Sequence, residues 1–359
     1  MEYSIHQSPV DTSASASVEQ VAAAAKLPST CFSSRRLNAT TFLIVEDDKW
    51  RESPFIYAKV YDSVIVLLDT GCGGASKDPD VQLKSLRAFI ETYPVSDNED
   101  EPINPTAEKD YIVICTHCHY DHIGGIEQFK DDPKSAIWAS AYDRDFIDDE
   151  TMLPTHSLCR FVGMQTPRYK VTHWAADGEH VRYGNNGLDL GLVVYQTPGH
   201  TPDELAVWDP VERVLFVGDT AYEWGPILFP FEGSIPLYKE KLNKLRSLVR
   251  DLNAGHRGSD VLINSSLKLL PINPNKIKRV SLASGHTTSD ADAEFFLDEV
   301  YEFLCKIEQG EVESRPWRKF RGEEEVLYER EDGKISFASS RNKFVEFTHK
   351  PETGCCLMS

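Results

Sequence analysis

The chain has 359 residues, with 38 Lys and Arg against 57 Asp and Glu, for a formal net charge of −19. That balance argues against nucleic acid as a partner, and so against a nuclease, because phosphate binding needs a basic surface. With 41% hydrophobic and 26% charged residues the composition is globular, long enough for one large core or two modest ones, and no run is suited to spanning a bilayer.

The first residues lack a basic stretch followed by an apolar core, so no secretory signal is expected, and eight cysteines without regular spacing suit a reducing, cytoplasmic setting. Residues 1–38 read as a partly disordered arm, with either a short helix or a loose segment around Val18-Glu19-Gln20-Val21-Ala22-Ala23-Ala24-Ala25. Strands are expected at 41–45, 55–60 and 63–68, the last running into Asp69-Thr70-Gly71. Residues 82–93 have helical spacing, with Leu83, Leu86, Phe89 and Ile90 on one face, and the acidic, proline-containing stretch 96–108 reads as an exposed loop.

Tyr111-Ile112-Val113-Ile114-Cys115 reads as a buried strand, and it delivers Thr116-His117-Cys118-His119-Tyr120-Asp121-His122 into a turn before Gly124-Gly125. One His in a turn is ordinary polarity. Three with an interleaved Asp behind a buried strand point to a metal site, since zinc and similar ions favour imidazole nitrogen and carboxylate oxygen. Cys115 and Cys118 have redox-motif spacing but straddle the strand end, and the pair reads as coincidence. Further strands are expected at 136–139, 193–195, 204–208 and 214–217, with an irregular region through Arg168. Amphipathic helices fit 236–252 (Leu242, Leu245, Leu248 and Val249 inward) and 290–309 (Phe295, Phe296, Val300, Phe303 and Leu304). A hairpin on Asp332-Gly333 should join 326–329 to 335–337.

Four more strand-to-turn junctions carry ligand-type side chains: Asp69, His200 in Thr197-Pro198-Gly199-His200, Asp219 in Val217-Gly218-Asp219-Thr220, and His286 in Ser284-Gly285-His286. This ordered series resembles the metallo-β-lactamase superfamily over roughly residues 40 to 310. The resemblance implies an α/β (α+β) fold, an αββα sandwich with metals at one edge between two sheets. It implies His117, His119 and His200 around a first metal and Asp121, His122 and His286 around a second, with Asp219 bridging and Asp69 ordering the loop without touching metal. Two zinc ions per chain are implied, with iron or manganese as alternatives. Such a pair, about 3.5–4 Å apart, shares a hydroxide that attacks a carbonyl. Asp121 would orient that nucleophile.

Asp219, where one branch of β-lactamases has Cys, makes the chain similar to lactonases, glyoxalase II and related hydrolases. Tyr222, three residues on, is similar to a lactonase Tyr that donates to the substrate carbonyl or oxyanion; a packing Tyr would look the same. The segment 236–252 resembles a helix that lactonases place between these motifs, and overall similarity extends to fungal lactam- or lactone-opening hydrolases. The expected activity is opening of a lactone or lactam ring in a small metabolite. Thioester hydrolysis of the glyoxalase II kind is the alternative, and a non-catalytic, lipid-anchored binding protein is the alternative of another class. An oxidoreductase on the same fold, using iron as persulfide dioxygenases do, is a further rival. Substrate-shaping side chains are sought among His156, Cys159, Arg160, Phe161 and Met164, and among Trp224, Phe229 and Phe231; aromatic loops are also often local cores.

The organisation expected is thus an arm (1–38), a metallo-β-lactamase-fold domain (39–312), a hairpin extension (313–348) and a flexible tail (349–359). Cys356-Leu357-Met358-Ser359 fits a C-a-a-X prenylation box, as chance also would, and membrane association is expected only if Cys356 is prenylated.

Overall fold

A computed structural model describes residues 27–255 and 278–348. The candidate helix around residues 18–25 and the C-a-a-X box lie outside them. Seven strands form a first sheet in chain order: β1 (Phe32–Arg36), β2 (Thr41–Glu46), β3 (Phe55–Val60), β4 (Val64–Leu68), β5 (Asp110–Ile114), β6 (Ser135–Ser140) and β7 (His173–Ala175). The first four pair antiparallel and β4 to β7 pair parallel. The second sheet contains β8 (Glu179–Tyr183), β9 (Leu188–Gln196), β10 (Leu205–Asp209), β11 (Val214–Phe216), β13 (Ser281–Ala283) and β14 (Ala291–Asp292), in the order β14-β13-β11-β10-β9-β8. A third, smaller sheet joins β12 (Pro226–Phe229) to β17 (Ser336–Ser340), β16 (Glu323–Glu329) and β15 (Arg315–Phe320).

Apolar side chains from the two large sheets meet in one core, where Leu43, Tyr57, Val66 and Ile114 face Val194, Leu205, Val207 and Phe216. The outer face of the first sheet packs Ile56, Leu67 and Val113 on helix α1 (Leu86–Thr92) through Leu86, Phe89 and Ile90. The outer face of the second sheet packs Ala206, Leu215 and Leu282 beneath the long helices Ile235–Asn253 and Ala293–Glu308. This is an αββα sandwich. Strands covered on both faces should be apolar throughout, and Val64 to Leu68 is buried at every position.

Local chemistry sets the helix starts. Ser234 Oγ accepts from Leu237 N ahead of the first long helix, which also has Pro236 in its first turn, and Asp292 accepts from Phe295 N ahead of the second. Ser85 caps α1, so the helix begins later than the expected 82, and Leu83 instead bridges to Thr30.

Four expectations need correction. Order begins before residue 39, because β1 pairs with β2 along its whole length. The stretch 96–108 is not simply an exposed loop: Ile103 and Asn104 are buried, and Asn104 Nδ2 donates to Tyr111 Oη at 2.9 Å. Phe295 points outward, 61% exposed, since its neighbour Phe296 takes the buried position. The irregular region before Arg168 contains short helices at Arg144–Asp148, Leu153–His156 and Cys159–Val162.

The hairpin on Asp332-Gly333 has Glu329 opposite Ser336. It is not an appendage, because β17 also pairs parallel with β12, inside the span expected for the preceding domain.

Candidate metal centre

Five strands release their last residues at one edge of the sandwich. Strands β4 and β5 run parallel in the first sheet, as do β11 and β13 in the second, and β9 shares the direction of β11 because both are antiparallel to β10. Asp69 follows β4, the run His117–His122 follows β5, and His200, Asp219 and His286 follow β9, β11 and β13.

The imidazoles converge on two points. His119 Nδ1 lies 3.0 Å from His117 Nε2 and 3.0 Å from His200 Nε2. On the other side His286 Nε2 is 3.2 Å from Asp121 Oδ2, and His122 Nε2 is 3.6 Å from the same oxygen. Asp219 stands between the sets: Oδ1 is 3.4 Å from His122 Nε2, and Oδ2 is 3.8 Å from His200 Nε2 and 3.5 Å from His286 Nε2. Ligand atoms of His117, His119 and His200, of His117, His122 and Asp219, and of Asp121, His122 and His286 each cluster within 4.8 Å.

Side chains and carbonyls behind the cluster set the ring orientations. Asp69 Oδ2 accepts from His122 Nδ1 at 2.8 Å and from Thr116 Oγ1 at 2.7 Å, while Oδ1 accepts from Thr116 N at 2.7 Å. Thr116 Oγ1 thereby becomes the acceptor for His117 Nδ1, 3.2 Å away. His200 Nδ1 donates to the Leu228 carbonyl at 2.6 Å and His286 Nδ1 to the Glu52 carbonyl at 3.0 Å. In all four rings Nδ1 is engaged from behind and Nε2 is directed inward, which is how metal-binding histidines are commonly fixed. Asp69 itself adopts φ +65°, a left-handed conformation that Asp tolerates better than most residues.

The donor set fits metal ions. His122 Nε2 and Asp219 Oδ1, which face the cluster, are buried without a hydrogen-bond partner, a costly state for two polar atoms. Burial, and then the neighbouring histidines, push His117 well below the usual imidazole range, and burial likewise lowers His119 and His200. All three are thereby held in the neutral form that binds metal. Burial also opposes charge on His122 and His286, but Asp219 and Asp121 outweigh it and raise both. The same carboxylates that favour a proton there also attract a divalent cation. Gly285 keeps the space clear: a Cβ on it would lie 2.5 Å from Asp219 Oδ1 and 2.6 Å from His122 Cε1.

Two carboxylates at this edge carried no signal in the sequence. Glu204 is fully buried; its Oε1 accepts from Asp219 N at 2.9 Å and its Oε2 lies 3.7 Å from His117 Nδ1. Glu52 lends its carbonyl to His286, and its side chain accepts a short hydrogen bond from Tyr120. An acid in a connecting segment, beside a strand that bears no ligand, offers no pattern to read.

Other candidates fall in different places. Tyr222 sets its ring 5.5 Å from that of His286, but its hydroxyl donates to the Pro226 carbonyl at 2.7 Å rather than toward the cluster. Phe229 is buried and packs on Tyr238, so most of its ring belongs to the core. His156 donates to the Phe146 carbonyl and stacks on that ring, a local core, and Cys159 is buried against Cys72 and Tyr120. Phe161, Trp224 and Phe231 are exposed. Cys115 and Cys118 are buried free thiols, with burial pushing both far above the ordinary thiol range.

Residues 110–256 match the family described as the metallo-beta-lactamase superfamily. A relative from Aspergillus versicolor, named putative transcription factor avaE, is 32% identical over 289 residues, 80% of this chain and 79% of its own length. The chain belongs to the metallo-β-lactamase superfamily. This metallo-β-lactamase-fold chain is also 27% identical over 186 residues to a hydroxyacylglutathione hydrolase from Idiomarina loihiensis, 50% of the chain and 61% of that relative. A metallo-beta-lactamase family protein of known structure from Thermus thermophilus aligns over 77% of the chain and 83% of its own, at 15% identity and a TM-score of 0.49. The fungal relative fits the fungal side of the resemblance. Among the described residues no helix of this metallo-β-lactamase family member is long and apolar enough to cross a membrane.

Proposed function

We propose that the protein is a dinuclear zinc hydrolase that opens a lactone or lactam ring in a small-molecule substrate. The observation that carries this reading is Asp219, whose two oxygens face histidines of both sets. Zinc ions held by His117, His119 and His200 and by Asp121, His122 and His286, with Asp219 common to both, would supply an acidified water and polarise the substrate carbonyl. Asp69 holds His122 in one tautomer and, through Thr116, orients His117. The Leu228 and Glu52 carbonyls do the same for His200 and His286. Asp121 presents Oδ2 to His286, and its second oxygen is the group proposed to orient the attacking water and hold its proton. Tyr222, with its hydroxyl engaged by Pro226, walls the site beside His286.

Thioester hydrolysis is the second reading, favoured by the similarity to proteins named hydroxyacylglutathione hydrolase. A role in DNA binding, suggested by the name of the Aspergillus relative, is opposed by the net charge of −19. The test is metal analysis of zinc-loaded protein followed by a hydrolysis screen across lactones, lactams, thioesters and aryl esters. About two zinc per chain and turnover of a cyclic acyl substrate are expected. Turnover confined to thioesters selects the second reading, and absence of both metal and turnover overturns the proposal.

A further inference from the structure

Between β12 and the turn joining β15 to β16 lies a cavity of about 190 Å³. Phe229, Phe231 and Phe320 line it, and Phe231 leaves 65% of its surface exposed. The turn itself is clamped. Arg321 pairs with both oxygens of Glu232 at 2.8 Å, and its guanidinium lies 4.8 Å from the ring of Phe161 and 5.3 Å from that of Phe231. Phe320 meets Phe161 edge-on at 5.5 Å.

Two segments of chain connect the walls of the cavity to the metal centre. Phe229 follows Leu228, whose carbonyl orients His200, and a Cβ on Gly233 would lie 2.5 Å from the His200 carbonyl oxygen. On the other side Phe161 belongs to the short helix that begins at Cys159, which packs against Tyr120, the residue between His119 and Asp121. The charged groups around the space are already engaged: Arg321 with Glu232, Glu325 with Arg318, and Lys343 with the Gly233 carbonyl. Glu323 adds an anion at the wall, which disfavours a carboxylate guest. Apart from these groups and Ser340, the surface on offer is aromatic, in a volume larger than the roughly 150 Å³ that accommodates a benzene ring in an apolar protein cavity.

We infer that this cavity is a subsite of the metal centre that takes a neutral, planar aromatic group of the substrate, with Phe231 and Phe320 as its walls. The inference rests on the hydrolase reading for what the aromatic group is attached to. It gives the C-terminal sheet a role in specificity, since Phe320 and Arg321 come from that sheet while the metal ligands do not.

The experiment uses the full zinc-loaded chain with two readouts. Binding of indole is followed by saturation-transfer NMR, and hydrolysis is compared for phenylacetyl and acetyl forms of the same scissile bond. Phe320→Ala should weaken indole binding about ten-fold or more, and raise KM for the phenylacetyl substrate by a similar factor, with kcat and the acetyl substrate unchanged. Phe320→Tyr, which keeps an aromatic face, should retain both. Indole binding that survives Phe320→Ala, or an equal loss on both substrates, overturns the subsite. If indole binds and is lost in Phe320→Ala while no substrate is turned over, the hydrolase reading fails and the binding site stands.

Discussion

The two halves of the candidate metal centre are built differently. His117, His119, Asp121 and His122 leave one strand in a single short run, and the supports of His122 and His117, Asp69 and Thr116, are side chains at the ends of strands in the same sheet. His200, Asp219 and His286 leave three strands of the other sheet, and the supports of the two histidines are main-chain carbonyls of Leu228 and Glu52. The first half is therefore open to dissection by side-chain substitution. In the second, the two histidines depend on where whole segments of backbone lie, and only Asp219 is held by a side chain, the buried Glu204 carboxylate that accepts from its N–H.

The largest effect that would break this contrast is loss of a ligand. His119→Ala or Asp121→Ala should abolish turnover and lower the zinc content, measured by metal analysis beside a rate assay; an unaltered rate in either variant would refute the assignment. Next, Gly285→Ala should disable the junction of the two halves through crowding alone, because the new methyl would press on Asp219 of the second half and His122 of the first. Zinc content should fall in that variant while the far-ultraviolet circular dichroism spectrum stays unchanged.

Asp69→Asn probes the first half more gently. The amide would present a donor where His122 Nδ1 and Thr116 Oγ1 now donate, and metal affinity should weaken by about 10–100-fold in a chelator competition. No change would mean that the His122 tautomer is fixed elsewhere. Glu46 provides a control outside the ligand set. Its carboxylate accepts from Cys72 N and Gly74 N at 2.7 Å, and burial raises its pKa to about 7. An acid raised on folding keeps its proton in the folded chain after the unfolded chain has lost it. Its contribution to stability is therefore present in full below about 4.5, the ordinary value, and is lost as pH rises through about 7. Glu46→Gln turns an amide toward a backbone N–H and should cost about 1–3 kcal/mol at pH 5 by urea denaturation, with a smaller loss at pH 8. The smallest effect is expected for Tyr222→Phe, which removes only the bond to Pro226, about 0.5–1.5 kcal/mol of stability, and should leave turnover within a few-fold. A fall of a hundred-fold would restore to this hydroxyl the substrate-facing role that its spacing suggested.

Each proposed ligand was legible because it follows an apolar strand and combines with the others in a fixed order. The long helices were legible from their 3.6-residue period, although that period could not choose between the adjacent Phe295 and Phe296. Features that depend on distant partners were not legible. Strand β1 has only five residues, mostly polar, and is fixed by its pairing with β2. Strand β12 has four residues and one strand neighbour, β17, far along the chain, so Phe229 reads as a loop aromatic and is in fact core. Glu204 and Glu52 gain their meaning only where the loops meet.

The pairing of β12 with β17 also bears on how the protein is made. Strand β12 is an edge strand whose sheet partner spans Ser336–Ser340, and its Leu228 carbonyl is what orients His200. A nascent chain emerging from the ribosome N-terminus first exposes every proposed metal ligand well before it supplies that partner. The histidines are thus available early and fully oriented late, so a chain stopped short of residue 336 would carry a complete set of ligands on an incomplete scaffold.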